Sequence, residues 1–291
     1  MDGRSAGYPG DDSMARNHSH DDWTARGYFD DDSMVRRVHR ESVVALSGPR
    51  TLLMQAAHPV AFAGFFAHTG ALDEPYERLA RTAQVMDLIA WGTREEADRA
   101  TRRVRAMHKR VRGTLAEPAG RFPAGTPYAA DDPALLLWVL ACLVDSALVV
   151  FQKYVRRPTP AEREAYWQGY KQIGRLFGLR DADMPAGVDD FDAYMRGMLD
   201  GDDLHITPRS RELAVQIVLH PPVPLRARPV LELVNQITVG LLPGDVRRAY
   251  GLSWDPARAV ALHGGAEYLR RVVVPLLPER LRLAPRARMA A

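Results

Sequence analysis

DPALLLWVLACLVDSALVVF, residues Asp132 to Phe151, decides the fold. Asp-Pro is a helix start: the carboxylate caps free N–H groups, and proline at the first helical position lacks only an N–H that has no helical partner anyway. The apolar run behind it nearly reaches the length of a membrane span. It carries Asp145 near its end, however, so it reads as a core helix and no integral membrane segment is expected. Asp145 shares a face with Leu135, Trp138, Cys142 and Val149, and a carboxylate in that setting needs a cationic partner. Cys142 is the single cysteine. That excludes an intramolecular disulfide and a Cys-based zinc site, and inside an apolar helix the thiol acts as a small hydrophobe.

Working outward, helix follows helix. Met34, Val38, Ser42 and Ala45 form one apolar stripe. Ser47-Gly48-Pro49 opens a helix through His58, which Pro59 breaks before Val60 to Phe66. Another begins near Asp73-Glu74-Pro75 and ends at Gly92. Thr93 and Glu96 then form a capping box, with Gly113 as the expected stop. Thr159-Pro160-Ala161-Glu162 opens a helix that Gly178 closes. Asp189-Asp190 precedes the next, and Arg209 to Leu219, Pro229 to Leu241 and Asp255 to Val274 are helical too, with Pro221 to Pro229 as a connector. Strand alternation is nearly absent. The expectation is an all-α chain with one globular helical domain over residues 28–285, a flexible leader over 1–27 and a tail over 286–291. Within the leader, Asp11-Asp12-Ser13-Met14-Ala15-Arg16 recurs as Asp31-Asp32-Ser33-Met34-Val35-Arg36, and His18 and His20 read as tail residues.

The 291 residues are 46% hydrophobic and 26% charged, ordinary globular values. Thirty-nine Lys and Arg against 36 Asp and Glu leave a formal +3. Only Lys109, Lys153 and Lys171 are lysine. Beyond Arg280, Arg282, Arg286 and Arg288 in the tail no basic stripe shows, so nucleic acid is not an expected partner. The N-terminus has no basic region followed by an apolar one, and a cytoplasmic location is expected. There is no Gly-x-Gly-x-x-Gly after a strand, no Walker A and no Gly-x-Ser-x-Gly, which removes nucleotide, flavin and serine-hydrolase chemistry from support.

Candidate chemistry lies on three helices. In the helix opened by Thr93, the inner face carries Ala97, Ala100, Thr101, Val104, Met107 and Val111, and His108 belongs to it, whereas Arg99, Arg102, Arg103, Lys109 and Arg110 point away. His108 suits either a hydrogen-bonded core histidine or an axial ligand to haem iron. No His-x-x-x-His or Glu-x-x-His accompanies it, so a zincin or di-iron site lacks its motif. Arg78, Arg81 and Thr82 share a stripe with Val85, Met86 and Ile89. An arginine directed inward there needs a carboxylate such as Asp145, a haem propionate or a substrate oxygen. His58, just before a proline that leaves the Gln55 carbonyl without its helical donor, reads first as a kink-stabilising residue, and alternatively as a second axial ligand or a pocket acid/base.

These residues resemble a known family. Leu52 to Pro59 (LLMQAAHP), Arg78 to Thr82 (RLART), Arg103 to His108 (RVRAMH), Leu137 to Val139 with Leu143 to Ser146, and Leu241 to Pro243 with Tyr250 to Leu252 follow in the order of the mpaB-type oxygenases, which include the bacterial latex-clearing proteins or rubber oxygenases. The similarity runs over roughly residues 28 to 285. It implies an all-helical fold with globin-like elements and a b-type haem. By position, His108 and its following Val-Arg-Gly match the helical histidine that ligates the iron. The distal Arg-x-x-Lys-Thr pattern falls on Arg78, Arg81 and Thr82, with Arg81 in place of lysine. The distal glutamate has no counterpart over Val60 to His68, and Leu140 stands where many bacterial relatives carry histidine.

These departures set simple transfer of polyisoprene cleavage aside and leave haem binding in place. The resemblance therefore implies a haem b-dependent oxygenase or oxidase acting on a hydrophobic small molecule with O2. Arg78, Arg81 and Thr82 are the expected catalytic residues, His108 the iron ligand, and His58 and Arg78 further cofactor contacts. A non-catalytic carrier of haem or of a lipophilic ligand is the alternative, and a haem-free member acting through protein contacts is a third reading. Apolar helix faces of this kind suit a core or an oligomer interface equally.

Overall fold

The computed structural model describes residues 26–67 and 75–289. Most of the expected leader, with His18 and His20, lies outside them, as do His68 and the Asp73-Glu74 pair. The order of elements is α1 (Met34–His39), α2 (Ser47–Ala56), α3 (Pro59–Ala67), α4 (Pro75–Trp91), α5 (Arg94–His108), β1 (Arg112–Thr114), β2 (Pro127–Ala129), α6 (Pro133–Tyr154), α7 (Pro160–Phe177), α8 (Val188–Asp200), α9 (Pro208–Leu219), α10 (Arg228–Leu241), α11 (Gly244–Ala249), α12 (Pro256–Tyr268), α13 (Val274–Leu276), α14 (Glu279–Arg282) and α15 (Pro285–Met289). The protein is a mostly helical single domain.

α6 is the axis of the fold. The Asp132 carboxylate accepts from the N–H groups of Ala134 and Leu135 at 2.8 and 3.3 Å, and Pro133 takes the first helical position. By length and apolarity α6 meets the test for a membrane span, and 61% of that stretch is buried inside the fold. Its apolar residues go almost all the way round because helices surround it: α2 makes the most extensive contact, and α1, α7 and α12 pack on other sides. Trp138, Cys142, Val144 and Phe151 of α6 meet Leu53 and Met54 of α2, Tyr166, Trp167, Tyr170 and Ile173 of α7, and Phe191 and Met195 of α8 in one continuous core.

The capping boxes Thr93–Glu96 and Thr159–Glu162 are both formed. Gly178 closes α7 at φ +104°, a left-handed conformation that favours glycine. Elsewhere the chain departs from the sequence reading. The Met34-to-Ala45 stripe is α1 followed by a 3-10 turn, Ser42–Leu46. The final long helix stops at Tyr268 and widens into a π turn, Leu269–Val273. Part of the expected tail is helical, as α15.

Gly113 does not end α5, which stops at His108. It lies in an antiparallel hairpin, paired with Tyr128, where a Cβ would come within 2.5 Å of the Tyr128 hydroxyl. Glycine is required there by the ring laid across the strand, not by a helix terminus. Nor is the Gln55 carbonyl stranded by Pro59, because the His58 N–H reaches it at 3.3 Å through a tighter turn.

Candidate functional site

His108 is the last residue of α5. The inner face of that helix is as expected in Ala97 and Thr101, which are buried, and in Val104 and His108, which are half-buried. Met107 is the exception: it is 42% exposed. Three contacts fix the end of this helix. The His108 carbonyl accepts from Val111 N–H at 3.0 Å, the Val111 carbonyl accepts from Ala130 N–H at 2.9 Å, and the Arg112 guanidinium grips Asp131 through both carboxylate oxygens. The β-hairpin therefore braces the turn that carries His108, and Tyr128 of β2 is itself buried against α3. The Nδ1 atom of His108 is shielded from solvent.

Among its described side chains, α4 is packed along its C-terminal half. Ile89 and Ala90 are buried and Val85 and Met86 half-buried, but Ala80, Arg81, Thr82, Ala83 and Gln84 are all exposed. The expected inward stripe therefore does not extend to Arg81 and Thr82. Arg81 instead faces Glu77 one turn back at 3.9 Å, both more than 60% exposed. Position 78 is helical, and its side chain is outside the described residues. Because α4 and α5 are joined by a short turn at Gly92, Arg78, Arg81 and Thr82 lie toward the far end of α4, roughly 15 to 21 Å along it from that turn, as His108 lies at the far end of α5, roughly 24 Å along, at about 1.5 Å per residue.

Among the described residues Asp145 has a cationic partner. Arg50 of α2, 3% exposed, places Nη1 at 2.7 Å from Asp145 Oδ2. The same guanidinium donates to Ser146 Oγ at 2.6 Å and to the Leu241 carbonyl at 2.8 Å. Sequence reasoning missed Arg50. Its signal was available, since Arg50, Leu53, Met54 and Ala57 recur at helical spacing and the last three are buried. Burial also pushes the Cys142 thiol up, with Asp145 adding to the effect. That leaves Cys142 an inert packing residue.

His58 is buried, and its Nδ1 accepts from Ala61 N–H at 3.4 Å, so the ring caps α3. Its faces lie against Phe122 and Trp138, with ring centroids 5.4 and 6.5 Å away. Burial lowers its pKa, which favours the neutral ring that capping requires. The kink-stabilising reading describes this geometry, and only Nε2 is left for any other contact.

Among the described residues no group of three His, Cys, Asp or Glu side chains converges to hold a metal ion. The donor at His108 is a half-buried imidazole, its Nδ1 shielded from solvent, on a braced helix end. One such donor fits a metal that arrives already held in a macrocycle, as haem iron would, and does not fit a metal cage built from protein side chains.

Residues 36–282 match the family described as ER-bound oxygenase mpaB/B'/rubber oxygenase, catalytic domain. The chain belongs to this family of oxygenase catalytic domains. Two relatives, uncharacterised proteins of Mycobacterium bovis and Mycobacterium tuberculosis, are each 31% identical over 188 residues, covering 63% of this chain and 69% of the relative. No solved structure matches the chain.

Proposed function

We propose that this protein is a haem b-dependent oxygenase or oxidase of a hydrophobic small molecule, with His108 as the proximal ligand. The observation that carries the reading is His108 itself: a half-buried imidazole, Nδ1 shielded from solvent, on a helix end held by the hairpin, within a chain of the oxygenase family. Bound haem would supply oxygen activation, and the protein supplies orientation and exclusion of water. His108 would hold the iron and tune its reactivity. Arg78 and Thr82, on the N-terminal half of α4, are the residues proposed to meet oxygen and substrate, and Arg81 is proposed to reach a propionate. Arginine at 81 can bind a carboxylate through a planar fork. His58 is proposed to act through the position of α3, since Nδ1 is already engaged.

The test is the spectrum of protein produced with a haem precursor, reduced with dithionite and exposed to CO. A Soret band that shifts with CO is the expected result and leads directly to substrate screening under oxygen. A band that ignores CO would mean two protein ligands and favour a carrier. Absence of any band after reconstitution would overturn the proposal.

A further inference from the structure

A cavity of about 220 Å³ opens at the other end of α6 from the hairpin. With 22 residues in α6, the two ends are roughly 33 Å apart at 1.5 Å per residue, so this cavity is separate from the His108 region. Five arginines line it: Arg37, Arg40, Arg156, Arg270 and Arg282. They come from α1 and the residue after it, from just beyond α6, from the π turn and from α14, so the chain gathers them from elements far apart in sequence.

The charge around the cavity does not balance. Glu41, 3% exposed, is gripped by Arg282 through both oxygens at 2.9 and 2.8 Å. Arg156 takes both oxygens of Glu162 at 2.7 Å, and Arg270 takes both of Glu267 at 2.7 Å. Arg37 and Arg40 have only the outskirts of carboxylates already engaged, at 3.8 Å from Glu162 and 3.7 Å from Glu41. Glu279 reaches Arg282 only as a weaker field. Arg271 also reaches Glu267, at 2.8 Å, so with Glu279 counted six guanidiniums meet four carboxylates and two positive charges are left over. Arg40 Nε is buried with no hydrogen-bond acceptor among the described residues, a costly state for a charged donor. Phe151, Val155, Val274 and Pro275 form an apolar wall beside these charges. The neighbouring π turn is of a kind often retained at functional sites.

We propose that this cavity binds a phosphate dianion carried on a short apolar group, a small phosphomonoester. Two surplus charges match a dianion rather than a carboxylate, a tetrahedral phosphate presents oxygens to several guanidinium forks at once, and the apolar wall receives the ester group.

The experiment is isothermal titration of the full chain with butyl phosphate, inorganic phosphate and acetate at fixed ionic strength. Butyl phosphate binds tightest, inorganic phosphate less tightly, and acetate at least tenfold more weakly than butyl phosphate. Removing the surplus with Arg37→Gln and Arg40→Gln together weakens butyl phosphate at least tenfold. Arg102→Gln with Arg103→Gln, which removes the same charge from the exposed face of α5, leaves it unchanged. If the double cavity variant does not fold, Arg37→Gln alone carries the test, since Arg37 is 43% exposed and makes only the 3.8 Å contact. The proposal is overturned if none of the three ligands gives a saturable heat, if acetate matches butyl phosphate, or if the α5 variant weakens binding as much as the cavity variant.

Discussion

Arg50 and Asp145 form the ion pair that locks α2 to α6, with 2.7 Å between Nη1 and Oδ2 and the arginine almost wholly buried. Arg50 also donates to Ser146 and to the Leu241 carbonyl at the end of α10, so one side chain joins three helices. Removing it leaves three acceptors facing a hole. Arg50→Met is expected to cost about 3 kcal/mol, the lower end of the range for breaking a buried pair because Asp145 is a quarter exposed. Asp145→Asn, which leaves Arg50 its other two acceptors, is expected to cost less. Urea midpoints of the two variants check the order, and equal midpoints would remove Arg50 from this role.

His39 predicts an acid lability. Its Nε2 lies 3.0 and 2.8 Å from the hydroxyls of Tyr166 and Tyr170, and burial pushes its pKa down to about 4. The unfolded chain takes up the proton near the ordinary value of 6.5, so stability is unaffected above that pH. It falls as pH drops from 6.5 to about 4, by about 3 kcal/mol for this one group at 1.36 kcal/mol per unit. In His39→Gln the slope of stability against pH over that window should be shallower by close to one proton. An unchanged slope would contradict the burial argument.

Gly169 is where α7 accepts α1. A Cβ there would lie 2.5 Å from Val35 Cγ2, and Val35 is itself buried. Gly169→Ala should therefore destabilise by roughly 1–3 kcal/mol through overpacking, despite alanine's better helix propensity. Thermal denaturation that shows stabilisation instead would mean that α1 yields freely.

Arg81 separates fold from function. Its ion pair with Glu77 is exposed on both sides, so Arg81→Ala should move stability by no more than about 0.5 kcal/mol. The same change should alter oxygen consumption by the haem-loaded protein. Unchanged turnover would remove Arg81 from the proposed site.

The helical plan was legible because its signals are local. Asp132-Pro133, Thr93 with Glu96, Thr159 with Glu162, and Gly178 each act within one turn of chain, and each is found where it was read. What escaped depends on partners distant in sequence. Gly113 looked like a helix stop because nothing nearby shows that Tyr128 crosses it. Arg81 and Thr82 looked inward because the stripe through Val85 and Ile89 is inward, but Ile89 is buried, Val85 half-buried, and Arg81 and Thr82 one turn earlier are exposed. Arg50 hid as one cation among 39 lysines and arginines, although its spacing to Leu53, Met54 and Ala57 placed it on the buried face. Of the candidate site, His108 and its helix face could be read directly, whereas the hairpin that holds it arises from pairing that strand alternation over three residues is too short to announce.

The central claim is tested most directly by haem stoichiometry and absorption spectrum in His108→Ala beside the unaltered protein, both produced with a haem precursor. The account predicts one haem per chain with a Soret band in the unaltered protein, and loss of stoichiometric binding in the variant with the fold retained by circular dichroism. One haem per chain and an unchanged histidine-ligated spectrum in His108→Ala would contradict it.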